Sequence, residues 1–387
     1  MYKLANTAWD DEELEAIKSV VDSNRYSMGE CVSEFETTFS DLVSSKYCVM
    51  VNSGSSANLL AIAALFYRSE NQLKAGDEVI VPAVSWSTTY YPLQQYGLKI
   101  KFVDIDNETL NYSLSELESA ITEKTRLIVA VNLLGNPNDF QKINHLIENT
   151  DIILFEDNCE SLGATFSDKS AGTFGLLGSF STYFSHHIST MEGGMVITDD
   201  EELYHIMLSL RSHGWTRHLP FDNKVCTKST NDFEESFKFV LPGYNLRPLE
   251  MSGAIGLKQI KKIPEIIEGR RANARTFIDV FSNIDGVTIQ KELGASSWFG
   301  FSMVFEEGKE ARRKIIEVFD ANGVECRPIV AGNFTKNPVV KFLDYSIHGT
   351  LANANAIDEG GLFIGNHHYD VSSELENVGE LVLNNLR

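Results

Sequence analysis

Between residues 46 and 200 the chain alternates seven short apolar runs with helix-like stretches, a pattern few architectures can satisfy. The runs fall at 47–51, 78–81, 100–103, 126–131, 152–155, 179–182 and 195–198. Helices are expected between them at about 55–67, 87–96, 114–122 and 138–149, the third opened by a capping box of Ser113 and Glu116. Strands joined by helical crossovers lie side by side and parallel, because each crossover returns the chain to the same end of the sheet. The expectation is therefore α/β, a mostly parallel seven-stranded sheet with helices on both faces, spanning residues 1–248.

After the Pro242 to Pro248 stretch the pattern changes. A long helical segment from about 249 to 281, broken at Pro264, leads into strand-like runs at 286–289 and 300–305 and a helix at about 308–322. The remainder reads as loop-rich. Residues 249–387 are expected to form a smaller α+β C-terminal domain, and the polar stretch 222–235 a loop.

A chain of 387 residues with 43% hydrophobic content can bury the cores of two such units. Its formal charge of −21 excludes a nucleic-acid or anionic-membrane surface as the expected partner, since such surfaces need clustered Lys and Arg. No apolar run reaches the roughly 18–20 residues that span a bilayer, and Met1 to Thr7 lacks a leader's apolar stretch, so the cytoplasm is expected. Cys31, Cys48, Cys159, Cys226 and Cys326 are scattered, with no CxxC pair, and no HExxH accompanies the histidines; no metal site is expected.

Three segments carry residues suited to chemistry. Ser53-Gly54-Ser55-Ser56 follows a strand and opens a helix, where backbone amides and the helix dipole favour a phosphate; an ordinary serine-capped turn is the alternative. Neither a P-loop lysine nor GxGxxG is present, which argues against nucleotide hydrolysis and a Rossmann site. Asp157 ends an apolar strand, the place where open α/β sheets put their ligands, and Trp86 follows another strand, where it could stack on a flat ring or simply fill the core. His186 and His187 lie in the 180–194 segment, and no lysine occurs between Lys169 and Lys224. A strand delivering a carboxylate, followed about thirty residues later by a turn carrying a basic side chain, is the layout of a pyridoxal-phosphate enzyme, here without the usual lysine.

Taken in order, 53–57, 76–82, 102–106, 156–163, 192–194 and 243–250 resemble the DegT/DnrJ/EryC/StrS sugar aminotransferase family of fold-type I (aspartate aminotransferase-like) pyridoxal-phosphate enzymes. The resemblance implies that Gly54, Ser55, Ser56 and Ser181 hold the phosphate, that Trp86 lies against the ring, and that Asp157 pairs with its nitrogen. Glu160 falls where the family often has a glutamine near the ring hydroxyl. Asn245 and Arg247 match the motif through which a neighbouring subunit reaches the phosphate, which implies a homodimer. His186 aligns with the Schiff-base lysine, and His187 is its rival should the register slip by one.

Within the family, histidine at this position resembles the sugar 3-dehydratases. The implied cofactors are pyridoxal 5'-phosphate and pyridoxamine 5'-phosphate, interconverted with L-glutamate. The implied reaction removes the 3-hydroxyl of GDP-4-keto-6-deoxy-D-mannose and releases ammonia, a step toward 3,6-dideoxysugars such as colitose in lipopolysaccharide O-antigen. The CDP-glucose-derived 3-dehydrase, which carries an iron–sulfur cluster, and a true nucleotide-sugar aminotransferase are the alternatives.

Overall fold

The computed structural model describes residues 1–386. Each of the seven apolar runs forms a strand: β1 (Tyr47–Val51), β2 (Glu78–Pro82), β3 (Lys99–Val103), β4 (Thr125–Val131), β5 (Ile153–Asp157) and, beyond a small hairpin of β6 (Thr165–Phe166) and β7 (Lys169–Ser170), β8 (Leu177–Ser181) and β9 (Gly194–Thr198). The helices among them are α1 (Asp11–Ser23), α2 (Glu30–Val43), α3 (Gly54–Leu65), α4 (Ser87–Gln95), α5 (Leu114–Ala120), α6 (Phe140–Ile147) and α7 (Glu201–Arg211). Because strand side chains alternate between faces, each strand feeds two cores. Val49, Val51, Val79, Val81, Leu127 and Val129 pack with residues of α3, α4 and α7. Cys48 and Met50 join α2 on the other face, where Ile80, Ile128 and Ala130 meet α5 and α6.

The rest of the chain runs through α8 (Asp232–Glu235), α9 (Glu250–Gln259), α10 (Ile263–Phe281), β10 (Val287–Ile289), β11 (Gly300–Phe305), α11 (Lys309–Asn322), β12 (Cys326–Arg327), β13 (Tyr345–Ile347), α12 (Ala352–Gly360), β14 (Gly361–Gly365) and α13 (Ser372–Leu386). Strands β10, β11, β14 and β12 form an antiparallel four-stranded sheet whose core includes Phe277 and Phe281 of α10 and Val378 and Val382 of α13. We keep 1–248 and 249 onward as the proposed units, with two exchanges between them. Tyr2 pairs with Val324 beside the small sheet, and β13 pairs parallel with β3 in the large one.

Four expectations need correction. The large sheet has eight strands rather than seven, in the order β1-β9-β8-β5-β4-β2-β3-β13, with β9 antiparallel to both neighbours. The eighth, β13, is an exposed edge strand without a long apolar run to announce it. Ser113 makes no capping bond; the capping box is Asp10 with Glu13, at the start of α1. The helical break after α9 lies at 260–262, so Pro264 stands in the first turn of α10, where its missing N–H costs nothing. The final stretch is not loop-rich, since it holds α12, β14 and α13. Leu375, Val378, Gly379 and Val382 supply the helical spacing of the last of these. Among the described residues no helix is long and apolar enough to cross a membrane.

Candidate active site

The carboxyl ends of the parallel strands β1, β2, β4, β5 and β8 open on one cavity of about 660 Å³, walled on its far side by Arg327, Phe363 and Asn366 of the smaller unit. At the end of β1 the chain turns directly into α3. Ser53 caps the helix by accepting from the Ser56 N–H at 3.1 Å, and the next two residues of the first turn, Gly54 and Ser55, whose amides have no partner within the helix, line the cavity. Gly54 is there because of crowding. A Cβ at this position would fall 2.6 Å from Ser181 Cβ and 3.1 Å from Cys159 Sγ. The turn is thus pressed against the end of β8, and the hydroxyls of Ser55 and Ser181 border the same corner.

Asp157 at the end of β5 is buried and surrounded by donors. Asn58 Nδ2 and Thr89 Oγ1 each donate to Oδ2 at 2.8 Å, and the Cys159 N–H donates to Oδ1 at 3.2 Å. Asn58 is itself oriented by Ser179, whose hydroxyl donates to Asn58 Oδ1 at 2.6 Å. Such a shell fixes the carboxyl group in place and leaves it a lone pair for a partner in the cavity. Glu160 accepts from the Leu134 N–H at 2.9 Å; burial, with the Asp157 charge adding to it, raises its carboxyl to about 7. Glu156, one residue before Asp157 and on the opposite face of β5, is raised to about 7 by burial. Its carboxylate accepts from the N–H groups of Gly172, Phe174 and Gly175, so it shapes that loop and not the cavity.

Trp86 precedes α4 and, 59% exposed, borders the cavity with its ring uncovered. Opposite stands the loop after β8. The His186 imidazole lines the cavity, packed 5.2 Å from the Phe299 ring and 5.9 Å from that of Tyr183. Burial, reinforced by the Arg270 charge, lowers it to about 4, so it is neutral and a proton acceptor at neutral pH. His187 points away: it is buried, and its Nε2 lies 3.1 Å from the Ser297 carbonyl oxygen. Among the described residues no lysine lines the cavity.

The structure therefore brings Gly54, Ser55, Trp86, Asp157, Glu160, Ser181 and His186 together. Ser56 lies behind them, with its N–H taken by Ser53 and its hydroxyl donating to Asn52 Oδ1 at 2.6 Å. Asn245 and Arg247 are not in this cavity. Arg247 Nε donates to Asn245 Oδ1 at 2.9 Å, and its guanidinium lies 5.9 Å from the Trp215 ring. His213 is likewise elsewhere, against Trp215. Leu4, Ala5, Asn132 and Phe299 were missed as lining residues; they come from loops and from the N-terminal segment, and no local pattern marks them.

The DegT/DnrJ/EryC1/StrS aminotransferase family matches residues 7–382. The chain is 57% identical over 384 residues to the GDP-4-keto-6-deoxy-D-mannose 3-dehydratase of Escherichia coli O55:H7, covering 98% of this chain and 99% of that one. It is 58% identical over 380 residues to the enzyme of the same name from Yersinia pseudotuberculosis, covering 97% of each. The crystal structure of GDP-4-keto-6-deoxymannose-3-dehydratase with a trapped PLP-glutamate geminal diamine superposes with a TM-score of 0.97 at 56% identity, over 99% of this chain and 100% of that one.

Proposed function

Because the chain belongs to the DegT/DnrJ/EryC1/StrS aminotransferase family yet places an imidazole where a lysine is expected, we propose that His186 carries the proton transfers of a sugar dehydration. The protein is a pyridoxal-phosphate-dependent 3-dehydratase of fold type I. It removes the 3-hydroxyl of GDP-4-keto-6-deoxy-D-mannose, with L-glutamate supplying the amine, and gives GDP-4-keto-3,6-dideoxy-D-mannose and ammonia. The observation that carries this reading is the lysine-free cavity with His186 facing it.

The residues fit the cofactor. The Gly54 and Ser55 amides, with the Ser55 and Ser181 hydroxyls, form an anion cup at the positive end of α3. Trp86 offers a flat face, and Asp157 an anchored carboxylate for a pyridine nitrogen. When bound, pyridoxal phosphate supplies an electron sink for the carbon attached to its ring. Asp157 keeps the ring nitrogen protonated, and Glu160 adjoins the ring hydroxyl. His186, neutral at pH 7, takes the proton from the exocyclic carbon and then, as imidazolium, delivers one to the departing 3-hydroxyl oxygen. An imidazole cannot form the covalent bond with which a lysine displaces the finished amine. The nitrogen therefore leaves as ammonia, and cup, stacking face and carboxylate retain the cofactor without a tether.

A homodimer completes the site in this reading. Among the described residues lining the cavity, Asp157, Glu160, Glu192 and Glu325 stand against one permanent cation, Arg327, although the ligands are phosphates. Arg247 and Asn245 lie outside it, beside an exposed aromatic patch: the Trp215 ring lies 6.1 and 5.9 Å from those of Phe237 and Phe239, themselves 68% and 55% exposed. A second copy seated on that patch would bury it and bring Arg247 to the phosphate.

Borohydride reduction followed by peptide mapping tests the reading. Wild-type holoenzyme should give no cofactor adduct on any active-site peptide, whereas His186→Lys should give one on residue 186 and lose ammonia release. Wild-type activity in that variant would refute it.

A further inference from the structure

A lysine at position 186 would be pinned by its own bond to the cofactor; an imidazole has to be aimed by the backbone that carries it. His186 Nδ1 has no hydrogen-bond partner among the described residues, and its ring is held by packing alone, so its direction depends on the loop after β8. That loop is closed at its neck by Thr182 and Thr190. The Thr190 N–H donates to the Thr182 carbonyl at 2.9 Å, and their hydroxyls lie 2.6 Å apart.

Between neck and imidazole the loop is gripped at Ser189. The Trp9 indole Nε1–H donates to the Ser189 carbonyl at 2.9 Å, and the Ser189 N–H donates to Gln259 Oε1 at 3.1 Å, so both backbone polar groups of Ser189 are taken by side chains remote in sequence. The grip is itself anchored. Gln259 is fully buried and donates from Nε2 to Glu13 Oε1 at 2.7 Å. Lys262 Nζ donates to the Ala8 carbonyl at 3.1 Å and pairs with Asp10 and Glu13 at 2.8 Å each. Residues 8–13 are thereby fastened to α9 and to the turn that joins it to α10, with Trp9 reaching back to the loop. A few residues earlier the same segment walls the cavity at Leu4 and Ala5, and Tyr2 docks on the smaller unit through its hydroxyl, which donates to the Gly365 carbonyl at 2.8 Å.

We propose that Trp9 is a positioning residue for the dehydration: through Ser189 it holds the loop so that His186 faces the cofactor, in place of the covalent tether the site lacks. The proposal rests on the reading of His186 as proton carrier. Misplacing a catalytic group by an ångström costs up to about a hundredfold in rate without weakening substrate binding, so the effect belongs in kcat.

The test compares wild-type and Trp9→Phe holoenzymes by hydrogen–deuterium exchange, thermal unfolding and steady-state kinetics with the nucleotide sugar and L-glutamate. The phenyl ring keeps an aromatic at the position and removes the N–H. The expected result is that amides in 183–190 exchange about fivefold faster, as for one lost neutral hydrogen bond, with the unfolding midpoint lower by no more than about 2 °C. With that, kcat falls about tenfold and both KM values stay unchanged. Replacing Trp9 with 3-benzothienylalanine, which keeps the bicyclic shape but not the N–H, should reproduce the pattern and separates it from lost packing. Unchanged loop exchange in both variants, wild-type kcat despite a loosened loop, or faster exchange throughout the chain with a midpoint lower by more than about 5 °C would each overturn the proposal. If the wild type releases no ammonia when given the nucleotide sugar and L-glutamate, the reaction assignment falls, while the exchange result still decides whether Trp9 holds the loop.

Discussion

Asp157→Asn alters one atom and one charge at a point where three donors converge, and its consequence can be worked out from their geometry. The native carboxylate accepts from Asn58 and Thr89 on Oδ2 at 2.8 Å and from the Cys159 N–H on Oδ1 at 3.2 Å. An amide has one acceptor oxygen. If that oxygen takes the Oδ2 position, the NH2 group occupies the Oδ1 position, facing the Cys159 N–H and, in the holoenzyme, a ring nitrogen that must carry a proton. Donor then opposes donor. A hydrogen bond to a charged group is worth about 1.5–3 kcal/mol, and losing one preorganised charge contact at a reacting centre typically raises a barrier by about 2.7–4 kcal/mol. At about 1.36 kcal/mol per decade, kcat should fall about 10²- to 10³-fold. The fold should tolerate the change, because the Thr89 hydroxyl has the Ser85 hydroxyl as a second partner at 2.8 Å. Single-turnover formation of 2-oxoglutarate from L-glutamate at saturating pyridoxal phosphate isolates the effect from cofactor loss. A rate within about tenfold of wild type would refute the role given to this carboxylate.

Gly54→Ala places a methyl 2.6 Å from Ser181 Cβ and should force the start of α3 away from β8. Overpacking of this kind costs about 1–3 kcal/mol, and a fluorescence titration should show pyridoxal phosphate binding weakened by tenfold or more, on the order of that cost. Glu160 is raised to about 7 in the folded chain, so its stability contribution is intact below the ordinary carboxyl value and is lost as pH rises through about 7. Glu160→Gln has no such loss: melts should coincide with wild type near pH 4 and lie above it at pH 8, and parallel curves would contradict the shift. His186 is lowered to about 4, so the acid limb of kcat should lie well below the ordinary imidazole value of about 6.5, as a pH–rate profile would read.

The large unit was legible because its signals are local. Apolar runs bounded by helical spacing placed β1 to β5, β8 and β9 to within a residue or two, and the turn residues after β1, β2, β5 and β8 are the ones that meet in the cavity. What escaped depends on tertiary partners. Strand β13 is exposed and three residues long, and it becomes a strand only because β3 offers an open edge. Ser113 has the sequence of a cap but not its hydrogen bond, while Asp10 and Glu13, equally readable as Asp-x-x-Glu, close the true box. Phe299 reaches His186 from the smaller unit, and Leu4 and Ala5 come from the far end of the chain; contacts between segments more than a hundred residues apart leave no trace in local spacing.

Isotope tracing puts the central claim to its most direct test. With [15N]-L-glutamate and GDP-4-keto-6-deoxy-D-mannose, the nitrogen should appear entirely as labelled ammonia, in step with 2-oxoglutarate, and the nucleotide sugar should emerge one oxygen poorer and unlabelled. Label retained at carbon 4 of the sugar, with its 3-hydroxyl intact, would show that the site transfers nitrogen after all and that His186 does not set the outcome.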